Sequence, residues 1–143
     1  MADPTSLSPC ACFRARSMAR AITAHYDEVL GASGLRITQF AILVSIRGRG
    51  AVSMQELAAE LGIDPSTMTR TLLPLERDGL VASESGEDRR VRELALTPRG
   101  HRKVSEAFGL WNEAQETLNE KLGSELFERL LGDMNAVVSA LRG

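Results

Sequence analysis

The sequence is poor in the residues from which catalytic and metal centres are usually built. Its 143 residues include two histidines, His25 and His101, and two cysteines, Cys10 and Cys12. So few histidines leave little for metal binding or acid–base catalysis, and the sequence contains no phosphate-binding loop, zinc-ligand cluster or nucleophile elbow. We therefore expect a protein that is not an enzyme and that needs no metal or other cofactor.

Long apolar runs are missing as well. No stretch approaches the roughly 20 apolar residues that cross a bilayer, and the N-terminus lacks the basic region and apolar core of a secretory signal. The sequence thus predicts a cytoplasmic protein without a membrane partner. Its hydrophobic content of 43% and charged content of 25% are those of an ordinary globular chain, and its length favours a single domain.

The charged residues are distributed unevenly along the chain. The net charge is −2, but residues 1–103 contain 14 basic and 12 acidic side chains, whereas residues 104–143 contain 3 and 7. A basic excess in the first part is compatible with nucleic-acid contact there. The acidic C-terminal part would lie away from that contact.

Two short helices joined by a tight turn are predicted after residue 53. Ser53 and Glu56 match a capping box at the start of the first helix, and Gly62 matches its end. Asp64 and Pro65 then provide an N-cap and a first helical residue for the second helix. This spacing is typical of a helix-turn-helix, in which the second helix contacts DNA.

The second helix of the pair is polar on one side and apolar on the other. Its polar side holds residues that can hydrogen-bond to base edges or phosphates, namely Ser66, Thr67, Thr69 and Arg70. Met68, Leu72 and Leu75 have the spacing of a core-facing stripe. Pro74 predicts a kink or a tightened last turn, because its ring removes a helical hydrogen bond. A poor surface helix would have a similar composition, but the preceding turn favours recognition.

Residues 88–100 have the pattern of a basic β-hairpin that leads into a helix. The tip and rising edge carry three arginines, Arg89, Arg90 and Arg92. Strand-forming residues follow up to Thr97, which can cap a helix that begins at Pro98. Guanidinium groups on an exposed ribbon suit the narrow minor groove of DNA. A solvated loop would carry the same residues, but the helix pair upstream favours DNA contact.

This order of elements resembles the MarR family of bacterial winged helix-turn-helix transcriptional regulators. The wing signature of that family is Asp-x-Arg, five residues, then Leu-Thr-x-x-Gly, and the segment from Asp88 to Gly100 matches it throughout. The helix pair and the segment that leads from it into the wing are also similar, and the resemblance covers roughly residues 10–142. It implies a mainly α, α+β fold, a winged helix-turn-helix with long N- and C-terminal dimerisation helices.

The resemblance also implies roles for the wing residues. In the family, the arginine of Asp-x-Arg enters the minor groove and the aspartate holds it in place; here these residues are Arg90 and Asp88. Such a pair orders the long side chain before binding and so lowers the entropic cost of docking. Arg89 and Arg92 are interpreted either as phosphate contacts or as solvated charges at the strand edge.

A short tail and one domain are expected. The Pro, Ser and Thr content of residues 1–9 predicts a flexible tail. Residues 10–143 predict one MarR-like domain, with dimerisation helices at about 10–36 and 104–143 around a winged helix-turn-helix at about 37–103. Because the terminal helices carry more apolar surface than the winged part can cover, we expect a homodimer on a palindromic DNA operator.

A small-molecule signal is implied by the resemblance alone. Many members of the family release DNA when a small aromatic or phenolic compound binds between the dimer core and the winged part. His25, Tyr26 and Phe40 are the polar or aromatic candidates for such ligand contacts on the first two helices. Packing in the core accounts for each of the three more simply.

The two cysteines allow two interpretations. Thiol-based redox sensing occurs in the family, and Arg14 and Arg16 lie close enough in sequence to activate a thiol. A disulfide between Cys10 and Cys12 would be strained, however, because side chains two apart on a helix point in different directions. The simpler interpretation is two small apolar residues in the dimer interface.

The sequence therefore predicts a sequence-specific DNA-binding transcriptional regulator, a homodimeric repressor that a small aromatic signal releases from DNA. Two alternatives stay open. One is a thiol-redox-sensing regulator that acts through Cys10 and Cys12. The other is a winged-helix protein-interaction module without DNA binding, against which Arg70, Asp88 and Arg90 count.

Overall fold

The computed structural model describes residues 5–86 and 90–142. Its elements are, in chain order, α1 (Ala11–Leu30), α2 (Ile37–Arg49), β1 (Ala51–Ser53), α3 (Met54–Leu61), α4 (Pro65–Arg77), β2 (Val81–Ser85), β3 (Arg92–Leu96), α5 (Pro98–Leu122) and α6 (Ser124–Arg142). A 3-10 turn, Gly31–Ser33, follows α1. This mainly helical fold with a small antiparallel sheet confirms the predicted fold class.

The predicted helix-turn-helix is present as α3 and α4. Ser53 Oγ accepts the backbone N–H of Glu56 at 3.1 Å, and Gly62, with φ of +65°, ends α3. Asp64 caps α4 by accepting a backbone N–H of its first turn at 3.0 Å. The second half of the predicted capping box is replaced by an ion pair, because the Glu56 carboxylate lies 3.5 Å from the Arg49 guanidinium.

The sheet has three antiparallel strands in the order β1, β3, β2. The predicted hairpin is formed by β2 and β3, with Val81 opposite Leu96. The sequence did not predict β1, in which Ala51 lies opposite Ala95, because a three-residue strand has no alternation to detect. Since β3 is paired on both sides, the base of the wing is joined to the body of the chain.

The core lies where α1 to α5 pack on one another and on the sheet. Its largest fully buried side chains are Leu30, Ile42, Leu43, Ile46, Leu57, Met68, Leu75 and Val104. Full burial of such a side chain stabilises the fold by about 1.5–3 kcal/mol. Met68, Leu72 and Leu75 face this core as predicted, and α4 continues past Pro74 to Arg77.

The helix α2 includes Gly48 and ends before Gly50, whose φ is +79°. One interior glycine costs a helix only about 1 kcal/mol, which the buried face of α2 outweighs. The last helix, α6, begins at Ser124, directly after Gly123, whose φ is +83°.

A side chain of α1 caps α2. Asp27 Oδ1 accepts the backbone N–H of Ile37 at 2.8 Å, while Gln39 Oε1 accepts that of Arg36 at 2.9 Å. These bonds satisfy N–H groups that the first turn of a helix leaves unpaired.

Within the described residues no single helix is long and apolar enough to cross a bilayer. Only α1 with its 3-10 turn and α2 taken together reach that length and apolar content, and the two are bent by 73° relative to each other.

The junction between the wing and α5 requires a glycine. Thr97 donates its backbone N–H to the Leu80 carbonyl at 3.1 Å and its hydroxyl to the Gly79 carbonyl at 2.5 Å, and Thr97 Oγ1 accepts the N–H of Gly100 at 3.0 Å. A Cβ added at Gly100 would lie 2.1 Å from the Leu80 carbonyl oxygen. This close approach explains the glycine that ends the Leu-Thr-x-x-Gly segment.

We expect Gly100→Ala to destabilise the fold by about 1–3 kcal/mol, because the added methyl group would collide with backbone that cannot move aside. Gly109→Ala in the same helix is the matched control. Its Cβ would meet nothing within 4 Å, so it should stabilise the helix by up to about 1 kcal/mol. Urea unfolding measures both variants, and equal midpoints would contradict the close approach at Gly100.

Candidate nucleic-acid interface

The start of α4 carries hydroxyl groups that are ordered around Asp64. Its carboxylate accepts the Ser66 hydroxyl through Oδ1 at 2.6 Å and the Thr67 hydroxyl through Oδ2 at 2.6 Å. These hydrogen bonds from Ser66 and Thr67 hold the pKa of Asp64 well below its usual range, so the carboxylate stays ionised. The sequence indicated only a helix cap at Asp64, although hydroxyl residues two and three positions later are a visible signal for this arrangement.

The other polar side chains predicted for recognition lie on the same part of α4. Thr69 Oγ1 donates to the Pro65 carbonyl at 3.0 Å, and Arg70 Nη2 donates to Thr67 Oγ1 at 3.2 Å. Ser66, Thr69 and Arg70 are exposed, and Thr67 is half-buried. The four residues predicted to contact DNA thus form one polar surface, while their contact with DNA stays a prediction.

Half of the predicted wing residues belong to the described chain. Arg92 is the first residue of β3 and Arg90 precedes it by two positions; both side chains are exposed. Asp88 and Arg89 lie outside the described residues, and with them the predicted pairing of Asp88 with Arg90.

A cavity of about 350 Å³ separates α4 from the wing. Thr69, Leu73 and Glu76 line it from α4, and Arg90 and Arg92 line it from the wing. Arg90, Arg92 and the exposed side of α4 therefore border the same cavity. This arrangement allows both to contact the same extended ligand.

His25, predicted as a ligand contact, has partners in α5. Its Nε2 lies 2.9 Å from the Ala114 carbonyl oxygen, and its Nδ1 lies 3.3 Å from Lys121 Nζ. A carbonyl oxygen only accepts hydrogen bonds, so Nε2 carries the hydrogen, and Lys121 donates to Nδ1. His25 therefore joins α1 to α5 in this structure.

Tyr26 and Phe40, the other two predicted ligand contacts, are buried. The Tyr26 hydroxyl donates to Gln115 Oε1, and burial raises the pKa of this tyrosine. Phe40 stacks on Trp111 with ring centroids 6.3 Å apart, and Trp111 in turn contacts Phe108 at 5.5 Å. Phe108, which the sequence did not single out as a ligand contact, exposes 46% of its surface.

The two cysteines lie at the start of α1. Cys10 precedes the helix with an extended backbone and is partly exposed, and Cys12 is exposed in the first turn. Arg14 donates to the backbone carbonyl of Ser8 at 2.5 Å and to its hydroxyl at 2.9 Å. The Arg14 guanidinium is thus held by the segment before α1, and the redox interpretation stays a prediction.

The arrangement of α3, α4 and the β2–β3 hairpin defines a winged helix-turn-helix protein. The model of the MarR family matches residues 35–91. The chain is 34% identical to the M. tuberculosis transcriptional regulator MosR, and its superposition on the crystal structure of MosR in complex with DNA covers 94% of this chain and 99% of that chain with a TM-score of 0.78. The chain belongs to the MarR family of transcriptional regulators, as its wing signature predicted.

Two curated relatives from Bacillus subtilis (strain 168) are similar over part of their length. The uncharacterized HTH-type transcriptional regulator YwoH is 33% identical over 88 residues, which are 62% of this chain and 64% of YwoH. The HTH-type transcriptional repressor MdtR is 31% identical over 82 residues, which are 57% of this chain and 53% of MdtR. The chain thus spans less than two thirds of either curated relative.

Proposed function

We propose that this protein is a homodimeric transcriptional repressor that binds a palindromic DNA site. The observation that carries the proposal is the two-sided α4, which buries Met68, Leu72 and Leu75 and exposes Arg70 among ordered hydroxyl groups. Two similar proteins add support, because MosR has been crystallised with DNA and MdtR is described as a repressor.

In this proposal α4 enters the major groove and the wing enters the adjacent minor groove. The major-groove contacts are Ser66, Thr67, Thr69 and Arg70. Arg90 anchors the minor groove, and Arg92 at the edge of β3 contacts a phosphate. Asp88 and Arg89 enter the proposal from the sequence alone, as the partner of Arg90 and as a second phosphate contact.

Arg90→Ala should weaken binding to the operator by about 1–3 kcal/mol, because it removes a guanidinium from the minor groove. Arg77→Ala is the matched control, since this exposed arginine lies at the far end of α4 and its loss changes the net charge equally. Gel-shift titrations on fragments of the DNA upstream of the protein's own coding sequence, at two salt concentrations, measure both variants.

Specific binding should weaken steeply as salt rises, because released counterions contribute to the affinity. If Arg90→Ala binds as tightly as Arg77→Ala, the wing assignment is wrong. If the unaltered protein binds every fragment equally and weakly, a protein-interaction module is the better interpretation.

The proposed dimer is supported by the apolar face of α6. Along the whole described length of this helix no side chain is buried, although its spacing gives it an apolar stripe. The exposed members of this stripe are Leu126 (39%), Leu131 (45%), Val137 (57%), Val138 (45%) and Leu141 (84%). A contiguous apolar face of this kind marks an interaction surface, and a second copy related by two-fold symmetry would cover it.

Val138→Glu should therefore break the dimer, because a carboxylate would be buried against the apolar face of the partner. The control is Ser139→Glu, which introduces the same charge one residue later, on the polar side of α6. Light scattering during size-exclusion chromatography measures the mass of both variants. A dimeric Val138→Glu variant would exclude α6 from the interface.

We also propose that a small aromatic acid releases the protein from DNA. A groove of about 660 Å³ is lined by Val44, Arg47, Gly48, Val104, Ser105 and Phe108, and the ring of Phe108 contacts Trp111. Arg47 donates to Ser105 Oγ at 3.3 Å at its rim. An exposed aromatic ring beside a guanidinium suits a planar carboxylate ligand. Phe40 would then support the groove through Trp111 and Phe108, whereas His25 and Tyr26 contact α5 further along, at Ala114 and Gln115.

Benzoate should quench the fluorescence of Trp111, the one tryptophan of the sequence, and release DNA in gel shifts at the same concentrations. Arg47→Gln should weaken the response to benzoate but not to phenol, because phenol lacks the carboxylate that the guanidinium would bind. Fluorescence titration measures both ligands on both proteins. An equal loss of response to benzoate and phenol would contradict the role of Arg47.

A further inference from the structure

The hydroxyl groups at the start of α4 all donate their hydrogens to the protein itself. The four bonds are Ser66 to Asp64 Oδ1 (2.6 Å), Thr67 to Asp64 Oδ2 (2.6 Å), Thr69 to the Pro65 carbonyl (3.0 Å) and Thr71 to the Thr67 carbonyl (2.8 Å). An ionised carboxylate and a carbonyl have no hydrogen to give, so each hydroxyl must be the donor. A hydroxyl has a single hydrogen, so only oxygen lone pairs remain for a ligand; at Thr67, where Arg70 Nη2 donates to the oxygen at 3.2 Å, one lone pair remains.

Asp64 also occupies the place where a phosphate would otherwise bind. The N-terminus of a helix attracts anions through its unpaired N–H groups and its dipole. At α4 the Asp64 carboxylate takes the Thr67 N–H at 3.0 Å and contributes its own negative charge. A DNA phosphate would be repelled here, so the Ser66 and Thr67 oxygens are left to face base edges.

In the major groove, cytosine N4 presents only a hydrogen-bond donor, adenine presents a donor at N6 and an acceptor at N7, and guanine O6 and N7 and thymine O4 present acceptors. We propose that Asp64 determines base preference: by holding the hydroxyl hydrogens of Ser66 and Thr67, it makes both residues acceptors that select adenine or cytosine. The inference rests on the proposed function of α4 as the DNA-recognition helix. Asp64 acts here as a positioning residue.

Arg70 supplies the opposite preference one turn further on. Its Nη2 donates to Thr67 Oγ1 at 3.2 Å, which directs the guanidinium along the polar surface of α4. The remaining N–H groups of Arg70 can donate to guanine O6 and N7. Each half-site is therefore expected to combine an adenine or a cytosine, contacted by Ser66 or Thr67, with a guanine contacted by Arg70.

The substitution Asp64→Asn tests this assignment with little change of shape. Asparagine caps helices as well as aspartate does. To keep the bond from the Thr67 N–H, the amide oxygen must take the Oδ1 position, and the amide NH₂ then faces Thr67 Oγ1. The NH₂ group donates to this oxygen, so the Thr67 hydroxyl hydrogen turns outward and becomes a donor to DNA.

The readout is the set of sequences that each protein enriches from a pool of random duplexes. The unaltered protein should enrich adenine or cytosine at the position that Thr67 contacts. Asp64→Asn should raise guanine and thymine relative to cytosine at that position by roughly fivefold, the effect of about one hydrogen bond. Thr67→Val should lose the preference at the same position, and Asp78→Asn, at the far end of α4, should keep it although it loses the same charge.

Suppose that the unaltered protein enriches a defined sequence, as the proposed function requires. An unchanged base preference in Asp64→Asn or in Thr67→Val then overturns the inference, while the proposed function stands. If the unaltered protein enriches none, the proposed function fails and the inference fails with it. A purely structural role of Asp64 would lower affinity for all sequences equally, and thermal unfolding of each variant identifies that case. Should Asp64→Asn not fold, Thr67→Val decides alone.

Discussion

The backbone N–H and C=O of one residue, Leu80, connect α4, the wing and α5. Its N–H donates to the Leu75 carbonyl near the end of α4 at 2.9 Å, and its carbonyl accepts the Thr97 N–H at the start of α5 at 3.1 Å. The same carbonyl oxygen lies against Gly100 so closely that no larger residue fits without movement. The direction in which α4, the wing and α5 leave this point is therefore set by a few hydrogen bonds within a buried junction.

The parts of the fold that could be predicted are those whose causes are local in sequence. Ser53, Asp64 and Thr97 cap their helices with side chains that reach backbone only three residues away, and such bonds leave a readable spacing. The cap of α2 was not predictable, because Asp27 lies ten residues from the N–H it accepts. The strand β1 was missed because it is too short to show an alternation, and because its pairing partners lie forty or more residues further along the chain.

The candidate site, too, could be predicted only in part from the sequence. The sequence showed which residues of α4 are polar, because their spacing differs from that of Met68 and Leu72. It did not show the direction of their hydrogen bonds, which depends on side-chain rotamers and on the acceptor nearest to each hydroxyl. A hydroxyl group can both donate and accept a hydrogen bond, and the groups around it determine whether its hydrogen or a lone pair is available to a ligand.

The length of α5 has a mechanical consequence. Its 25 residues run without a break from the wing to the base of α6, a distance of about 37 Å at the usual helical rise. A rigid rod of this length converts small rotations into large displacements: a tilt of about 5° at one end moves the other by about 3 Å, close to the spacing of one base pair along DNA. If two copies join through their terminal helices, a change of a few degrees in that joint would alter the distance between the two wings by about one base-pair spacing. The two wings would then no longer match the spacing of the grooves that they contact.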